Sequence, residues 1–455
     1  MRVATTTIFQ LGTTNMSRHT ADQAKLQSQL STGRRILTPA DDPIASARLL
    51  DIAQSQSLNE QYNVNSKTAD SSLSMTEELL QQVTTVIQNV QTLAVNAGNG
   101  SQTAADKRIL ASELRGHYQQ LLELANSTDG GGLYLFSGFA GDTKPFTEAS
   151  FGNVTYNGDD GQRQVQVSTS RNIPVSESGN DVFMRIKNGN GTFVTAAAAT
   201  NVGTGVVSPG EVLDPVAWSN APAPRDFQVQ FYWANNPAKP TEPLMTYDLI
   251  DNTTGNSLIT GNATAGNTTG PRAWTPGSDI QFKQLPTDPV PQPAAWDYGI
   301  KMSVKGTPVA VDPTTKLPVG LPGVADSFSV KPSTDVDVFT TLGNMINALE
   351  SFASDGSGAG QAAFMNKLNT GMLSLANSLQ NVLTTQANIG SRMNETESIR
   401  STNSDINLQY AKTSNDLGGI DWAKTISDFA ENQMVLDAAR KSFSQVQGLS
   451  LFKYI

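Results

Sequence analysis

The sequence predicts a mainly α protein, with two chain ends forming a helical rod and a large inserted β-rich region of one or two domains in the middle. Three observations predict it. The first is the placement of proline: in a chain of 455 residues, Pro39 and Pro43 are the only two before Lys144, twenty lie from Pro145 to Pro332, and none follows. Proline lacks the N–H that a helix interior needs and its ring collides with the preceding turn, so the ends can hold long helices and the middle cannot. The second is a seven-residue apolar repeat in both ends, the mark of a coiled-coil seam. The third is the alternation of polar with apolar or aromatic residues through the middle, the period of a strand with one buried face.

At the N-terminal end, Phe9, Met16, Leu26, Leu30 and Leu37 follow a heptad spacing, with His19 and Gln23 at other inward positions. The stripe is thin. It stops in "STGRRILTPADDPIASARLL", residues 31–50. There Pro39 cannot continue a helix, Asp42 can accept orphan N–H groups of a new one, and Pro43 suits its first position. Pro39, Asp41, Asp42 and Pro43 are therefore read as the hinge between a terminal helix and a second helix. In that second helix Leu73, Leu80, Ile87 and Ala94 recur every seven residues, with Thr76, Val83, Val90 and Ala97 three after each. Unbroken to Ala97, it would be roughly 80 Å long at 1.5 Å per residue, the length of a rod. A further helix follows "GNGSQTAAD" and carries Leu110, Leu114, His117, Leu121 and Leu124 on one face.

In the middle, "RQVQVSTS", "DFQVQFYW", "DIQFKQL", "YGIKMSV" and "DSFSV" read as strands, separated by Gly, Asn, Asp and Pro clusters. "TAAAATNVGTG" and "TGNATAGNTTG" read as exposed loops. Helical spacing then returns. Val338, Leu342, Met345, Leu349 and Phe352 stripe a short helix, and after "SDGSGAGQ" Leu368, Leu375, Val382 and Ile389 form one heptad series beside Met372, Leu379, Gln386 and Met393. Beyond Met393 the spacing slips and resumes as Ile399, Ile406, Tyr410 and Leu417, which predicts a kink or a change in supercoil. The last helix has Trp422, Ile426, Phe429, Leu436, Ala439, Phe443 and Val446 on its stripe, before the apolar end "LSLFKYI". Neither terminal segment has enough local partners for its stripe. Phe9, Met16, Leu26, Leu30, Leu37, Trp422, Ile426, Phe429, Leu436, Phe443, Val446, Leu449, Leu451, Phe452 and Ile455 are accordingly the candidate subunit-interface residues.

Composition excludes several classes of function. There is no cysteine, so neither disulfides nor thiolate metal sites are available. The net charge of -10 argues against nucleic acid and anionic membrane as partners, since both are held mainly by Lys and Arg. His19 and His117, the only histidines, sit on helical stripes, so no triad or His-rich zinc site is expected, and no cofactor. "DGGGLYLFSG" lacks the Lys-Ser/Thr of a phosphate-binding loop and reads as a turn. Asp159 and Asp160 in "YNGDDGQRQV" read as a hairpin turn rather than a calcium or acid-base pair. Arg34 and Arg35 are too few for a nucleic-acid patch and are expected either to be solvated or to meet carboxylates of neighbouring chains.

Four stretches carry a resemblance: "QLSTGRRILTPADDP", "LYLFSGFAGDTKPF" running into "YNGDDGQRQVQVS", "DSFSVKPSTDVDVFTTLGNMINAL", and the end "LSLFKYI". Together, and in this order, they resemble the flagellin superfamily, the second more its hook-associated members than filament flagellin. The resemblance implies ends that fold back as an antiparallel coiled coil. It implies an inner assembly domain (1–41 and 418–455), a helical rod domain (42–140 and 336–417) and outward-pointing inserted domains (141–335). It also implies a non-enzymatic structural protein of the extracellular bacterial flagellum, exported by the flagellar export apparatus without a cleaved signal peptide. The implied partners are copies of itself in a ring-like layer, another hook-associated protein on the hook side, flagellin on the filament side, and an export chaperone. Two rival readings are filament flagellin, and a carbohydrate-binding or enzymatic β-rich module using exposed Trp218, Trp274 and Trp296 on helical anchors.

Overall fold

The computed structural model describes residues 5–234, 244–264, 270–290, 293–310, 325–353 and 358–448. Helices occupy both ends: α1 (Thr5–Thr32), α2 (Pro43–Ala97) and α3 (Ala104–Ala125) before the insertion, then α5 (Val338–Glu350), α6 (Ala359–Gly418) and α7 (Trp422–Gly448) after it. Among the described residues of the middle, a π-helical turn (Asn180–Met184) and a short helix, α4 (Pro215–Asn220), interrupt the strands and turns. The helical ends and β-rich centre expected from the sequence are both present. The chain falls into two units: Met1–Thr68, Gln166–Asn172 and Glu395–Ile455 form one, and Ala69–Val165 with Ile173–Asn394 form the other.

In the second unit the predicted α2 seam is real. Leu73, Thr76, Leu80, Val83, Ile87, Val90, Ala94 and Ala97 are all buried. On α6 Leu368, Leu375, Val382 and Ile389 are buried, but Met372, Leu379, Gln386 and Met393 are only half-covered. The deeper positions beside the first series are Gly371, Ser374 and Ser378. Small residues there admit close neighbours: a Cβ on Gly371 would lie 2.4 Å from Met345 Cγ. α6 runs without interruption through Met393. Its buried side chains farther on are Thr396 and Asn403, while Ile406 is exposed.

The caps follow the sequence. Thr103 and Asp106 form a reciprocal capping box on α3, and the Asp337 side chain accepts the Thr340 N–H at the start of α5. Leu114, Tyr118 and Leu121 of α3 are buried with Lys107, while Leu110 and His117 are half-exposed. The Lys107 ammonium lies 3.5 Å from the Phe352 ring centroid, 4.6 Å from that of Phe364, and 3.1 Å from Gln361 Oε1. Burial pushes its pKa down; the aromatic faces and the carboxamide offset part of the lost hydration. Below it, Phe136, Phe146, Phe183 and Phe339 make a ring cluster with centroid separations of 5.2 to 6.1 Å. Two of these rings come from the "LYLFSGFAGDTKPF" stretch, which therefore acts as a packing hub.

All five strands read from the sequence are formed: Gln164–Ser168, Phe227–Ala234, Asp279–Lys283, Asp297–Lys305 and Ser327–Pro332. The main sheet runs Asn256–Ser257, Leu244–Asp251, Phe227–Ala234, Ser327–Pro332, Phe193–Ala197, with Arg272–Ala273 also on Leu244–Asp251, and every pairing is antiparallel. Asp279–Lys283 and Asp297–Lys305 pair in a second sheet. Phe231, Leu249, Phe282, Ile300 and Phe328 fill the core that both sheets share. Asp159 and Asp160 are not in a hairpin turn: Phe146–Ser150 pairs with Asn153–Tyr156 and Gln164–Ser168 with Arg171–Pro174, so 157–163 joins two separate ladders. Asp159 instead accepts the N–H groups of Phe139, Ala140 and Gly161 at 2.8 to 3.0 Å.

Asparagines of α6 hold the β-rich part. Asn366 Oδ1 accepts the Val207 N–H and its Nδ2 donates to the Gly205 carbonyl, both at 2.9 Å. Asn377 donates to the Lys187 and Gly189 carbonyls, and Asn381 to those of Asp181 and Val182. Asn366 is buried, so Asn366→Ala leaves a donor and an acceptor without partners. Each such group costs about 1–3 kcal/mol. Urea unfolding followed by tryptophan fluorescence is expected to show a loss of about 2–4 kcal/mol. An unchanged midpoint would remove Asn366 as an anchor.

Candidate subunit-packing surface

The first unit holds the terminal helices. Phe9 of α1 meets Phe443 of α7 with ring centroids 5.1 Å apart, and a Cβ on Gly12 would lie 3.2 Å from the same ring. Farther along, His19 Nδ1 is 2.8 Å from Asn432 Oδ1, and Asn432 Nδ2 donates to the His19 carbonyl at 3.0 Å. A carboxamide oxygen only accepts, so His19 carries its proton on Nδ1. Positions on α7 descend as those on α1 ascend.

The break after α1 is made by Gly33, not Pro39. Its φ of 66° is the left-handed conformation that closes a helix, and its N–H donates to the Gln29 carbonyl at 2.8 Å. Five residues separate it from Pro39, which is exposed. Asp41 ties the turn back to α1: it accepts from Lys25 Nζ at 2.6 Å and from the Thr38 and Leu37 N–H groups at 2.9 and 3.1 Å. The Lys25 bond first, and the Thr38 N–H next, hold its carboxyl well below the usual carboxylate range. Asp42 accepts the Ala45 N–H at 3.0 Å and Pro43 opens α2, as the capping argument requires.

A matching break separates α6 from α7, and the two are bonded together. The Arg35 N–H donates to the Gly418 carbonyl at 2.7 Å, its guanidinium to the Leu417 carbonyl at 2.9 Å, and the Ile420 N–H to the Gly33 carbonyl at 3.3 Å. Arg35 also lies 3.4 Å from Asp42, so it is engaged within its own chain. The proline-aspartate stretch is thus one side of a cross-bridged joint.

What the terminal pair leaves uncovered defines the candidate surface. No described residue of α1 is buried, and on α7 only Thr425 and Leu436 are. Phe9, Trp422 and Ile426 are 47%, 55% and 54% exposed. Met16, Leu26, Leu30, Leu37, Phe429 and Phe443 are half-buried. Leu436 is covered inside the chain. Val446 lies in α7, but its side chain, like Leu449, Leu451, Phe452 and Ile455, lies outside the described residues. Sequence reasoning missed further exposed apolar residues of this unit: Leu11, Ile44, Leu50, Leu58, Val64, Leu408 and Met434. Ile44 and Leu58 are two heptads apart, as are Leu50 and Val64, so a second apolar series off the main seam was the available signal.

Among the described residues no group of three or more His, Cys, Asp or Glu could hold a metal, and no helix is long and apolar enough to cross a membrane. Trp218 and Trp274 are buried and Trp296 is half-buried in the β core, which removes the aromatic platform on which the sugar-binding reading rested.

Comparison with known proteins gives a consistent picture. The profile of the bacterial flagellin N-terminal helical region matches residues 3–140. The flagellar hook-associated protein 3 of Escherichia coli (strain K12) is 26% identical over 455 residues, which is 100% of this chain and 99% of that protein. That of Salmonella typhimurium is 37% identical over 186 residues, 41% of this chain and 58% of that protein. Among solved structures, the flagellar hook-associated protein 3 of Legionella pneumophila is 28% identical with a TM-score of 0.65, covering 80% of this chain and 98% of that one. FlgL of Xanthomonas campestris is 26% identical with a TM-score of 0.63, covering 80% and 99%. The chain is thus similar from end to end to a flagellar hook-associated protein 3, and it shares its fold with two solved proteins of that kind.

Proposed function

We propose that this protein is a structural adapter of the bacterial flagellum, a layer of identical subunits that joins the hook to the filament by subunit packing. The observation that carries the proposal is the uncovered apolar stripe of α1 and α7 on a chain related throughout its length to hook-associated proteins. A helix pair with almost no buried residue gains little stability from its own contacts, and neighbouring copies can cover what remains. In this reading the ends pair as an antiparallel coiled coil. Residues 1–41 and 418–455 form the inner assembly domain, 42–140 and 336–417 the helical rod, and 141–335 the outer part.

The partners of such a layer are copies of itself, a second hook-associated protein on the hook side and flagellin on the filament side. The flagellar export apparatus and an export chaperone would deliver it to the extracellular flagellum. No reaction is assigned to it. Filament flagellin is the less supported alternative, because the full-length similarity is to hook-associated protein 3.

Deletion of the gene tests the reading. Cells are expected to keep hooks, lack filaments, and release flagellin monomer into the medium, with filaments restored by the intact gene. Normal filaments on the deletion strain would overturn the adapter role. Long homopolymers formed by the purified protein would favour the flagellin alternative.

A further inference from the structure

The open edge of the main sheet faces a cavity for which the adapter reading has no use. The strand Phe193–Ala197 ends that sheet, paired on one side with Ser327–Pro332. The Ala198 N–H donates to the Ser327 carbonyl and the Ser333 N–H to the Thr192 carbonyl, both at 3.0 Å, which fixes the parity of the ladder. Val194 and Ala196 therefore face the partner strand, while Thr195 and Ala197 direct their N–H and C=O groups away from it. Thr195 is buried, its hydroxyl donating to the Ser208 carbonyl at 2.6 Å. Ala197 is half-exposed, and its outward N–H and C=O have no hydrogen-bond partner among the described residues.

Beyond this edge is a cavity of about 530 Å³. Residues 196–199, all alanine, line one wall, and Asn344, Asn347 and Lys367 of α5 and α6 line another. No Asp or Glu is among the described lining residues, and the Asp326 carboxylate behind them accepts the Gly203 N–H. Lys367 is exposed and has no ion-pair partner among the described residues. Asn366 on the same helix already shows what a carboxamide does here, since it grips the backbone of Gly205 and Val207.

We propose that this groove binds an extended acidic peptide segment of a partner protein, added as a strand at Ala197 with a carboxylate at Lys367. An unpaired strand edge supplies backbone hydrogen bonds to an added strand, and flanking pockets choose its side chains. Alanine walls restrict the segment to small side chains. Lys367, with no Asp or Glu among the described lining residues, selects a negative charge.

The probe is a fluorescein-labelled hexapeptide, Thr-Ala-Asp-Ala-Thr-Ala, compared with its Asp-to-Lys analogue by anisotropy on the full chain. The acidic peptide is expected to bind at least about tenfold more tightly than the analogue. Ala197→Pro removes only the outward N–H, the placement that an edge strand tolerates, and is expected to weaken binding about tenfold. Lys367→Glu, on an exposed helical position, is expected to reverse the preference, and carries the test alone if the proline variant does not fold. Absence of binding, equal binding of both peptides, or a preference unchanged by Lys367→Glu overturns the proposal.

Discussion

Ile426→Asp and Met434→Asp are each expected to abolish incorporation of the protein into flagella while leaving the free monomer as stable as before. Ile426 is 54% and Met434 71% exposed, so each change removes little packing from the isolated chain. Aspartate in a helix costs less than about 1 kcal/mol in propensity. If neighbouring copies cover these positions, the same substitution buries a carboxylate without a partner, at about 3–5 kcal/mol per contact. That is a factor of hundreds or more in the association constant of each subunit. Leu436→Asp is the contrast. Leu436 is buried within its own chain, so its loss lowers the melting temperature of the monomer as well as assembly. The readouts are thermal unfolding of purified protein and flagellin shed into the medium. Wild-type filaments on Ile426→Asp and Met434→Asp cells would show that this stripe faces solvent in the flagellum.

The contrast between these residues explains how far the sequence could be read. Heptad leucines and valines announced the α2 seam because burial and hydropathy coincide there, and Leu73, Val83 and Val90 are all inside. On α6 the two part company. Gly371, Ser374 and Ser378 are buried because close approach needs small side chains, a demand that leaves no hydropathy signal. The strands Phe227–Ala234 and Asp297–Lys305 were legible from alternation, whereas Leu244–Asp251, buried nearly throughout, shows none. At the joint, aspartate capping of α2 was correctly read, but the end of α1 was assigned to Pro39. The φ of Gly33 decided it, and the Arg35 bonds to residues 417 and 418 span a sequence distance that no local pattern can report. The tryptophans supported only the rival sugar-binding reading, since a large aromatic residue serves a core as readily as a binding platform.

The strand that alternation missed also carries the largest expected response to pH. Asp248 lies in Leu244–Asp251 with no exposed surface. Its Oδ1 accepts the Ser257 hydroxyl at 2.6 Å and the Leu249 N–H at 2.8 Å, while Oδ2 has no hydrogen-bond partner among the described residues. Burial, only partly opposed by those bonds and by Arg272, pushes its pKa up to about 6 from an ordinary 3.8. The folded state therefore holds this proton more tightly than the unfolded chain. Its stabilising contribution is full below about pH 4 and is lost as pH rises through about 6, leaving a buried charge at neutral pH. A shift of about two units corresponds to about 3 kcal/mol. Asp248→Asn keeps the acceptor for Ser257 and Leu249 and removes the charge. It is expected to raise stability at pH 7.5 by up to about 3 kcal/mol and to flatten the slope of stability between about pH 4 and 6. Urea titrations at several pH values, followed through Trp274 in the same core, measure both effects. If Asp248→Asn unfolds no later than the unaltered protein at pH 7.5 and keeps its pH slope, the carboxylate is not the group that titrates, and the orphan oxygen is satisfied in solution.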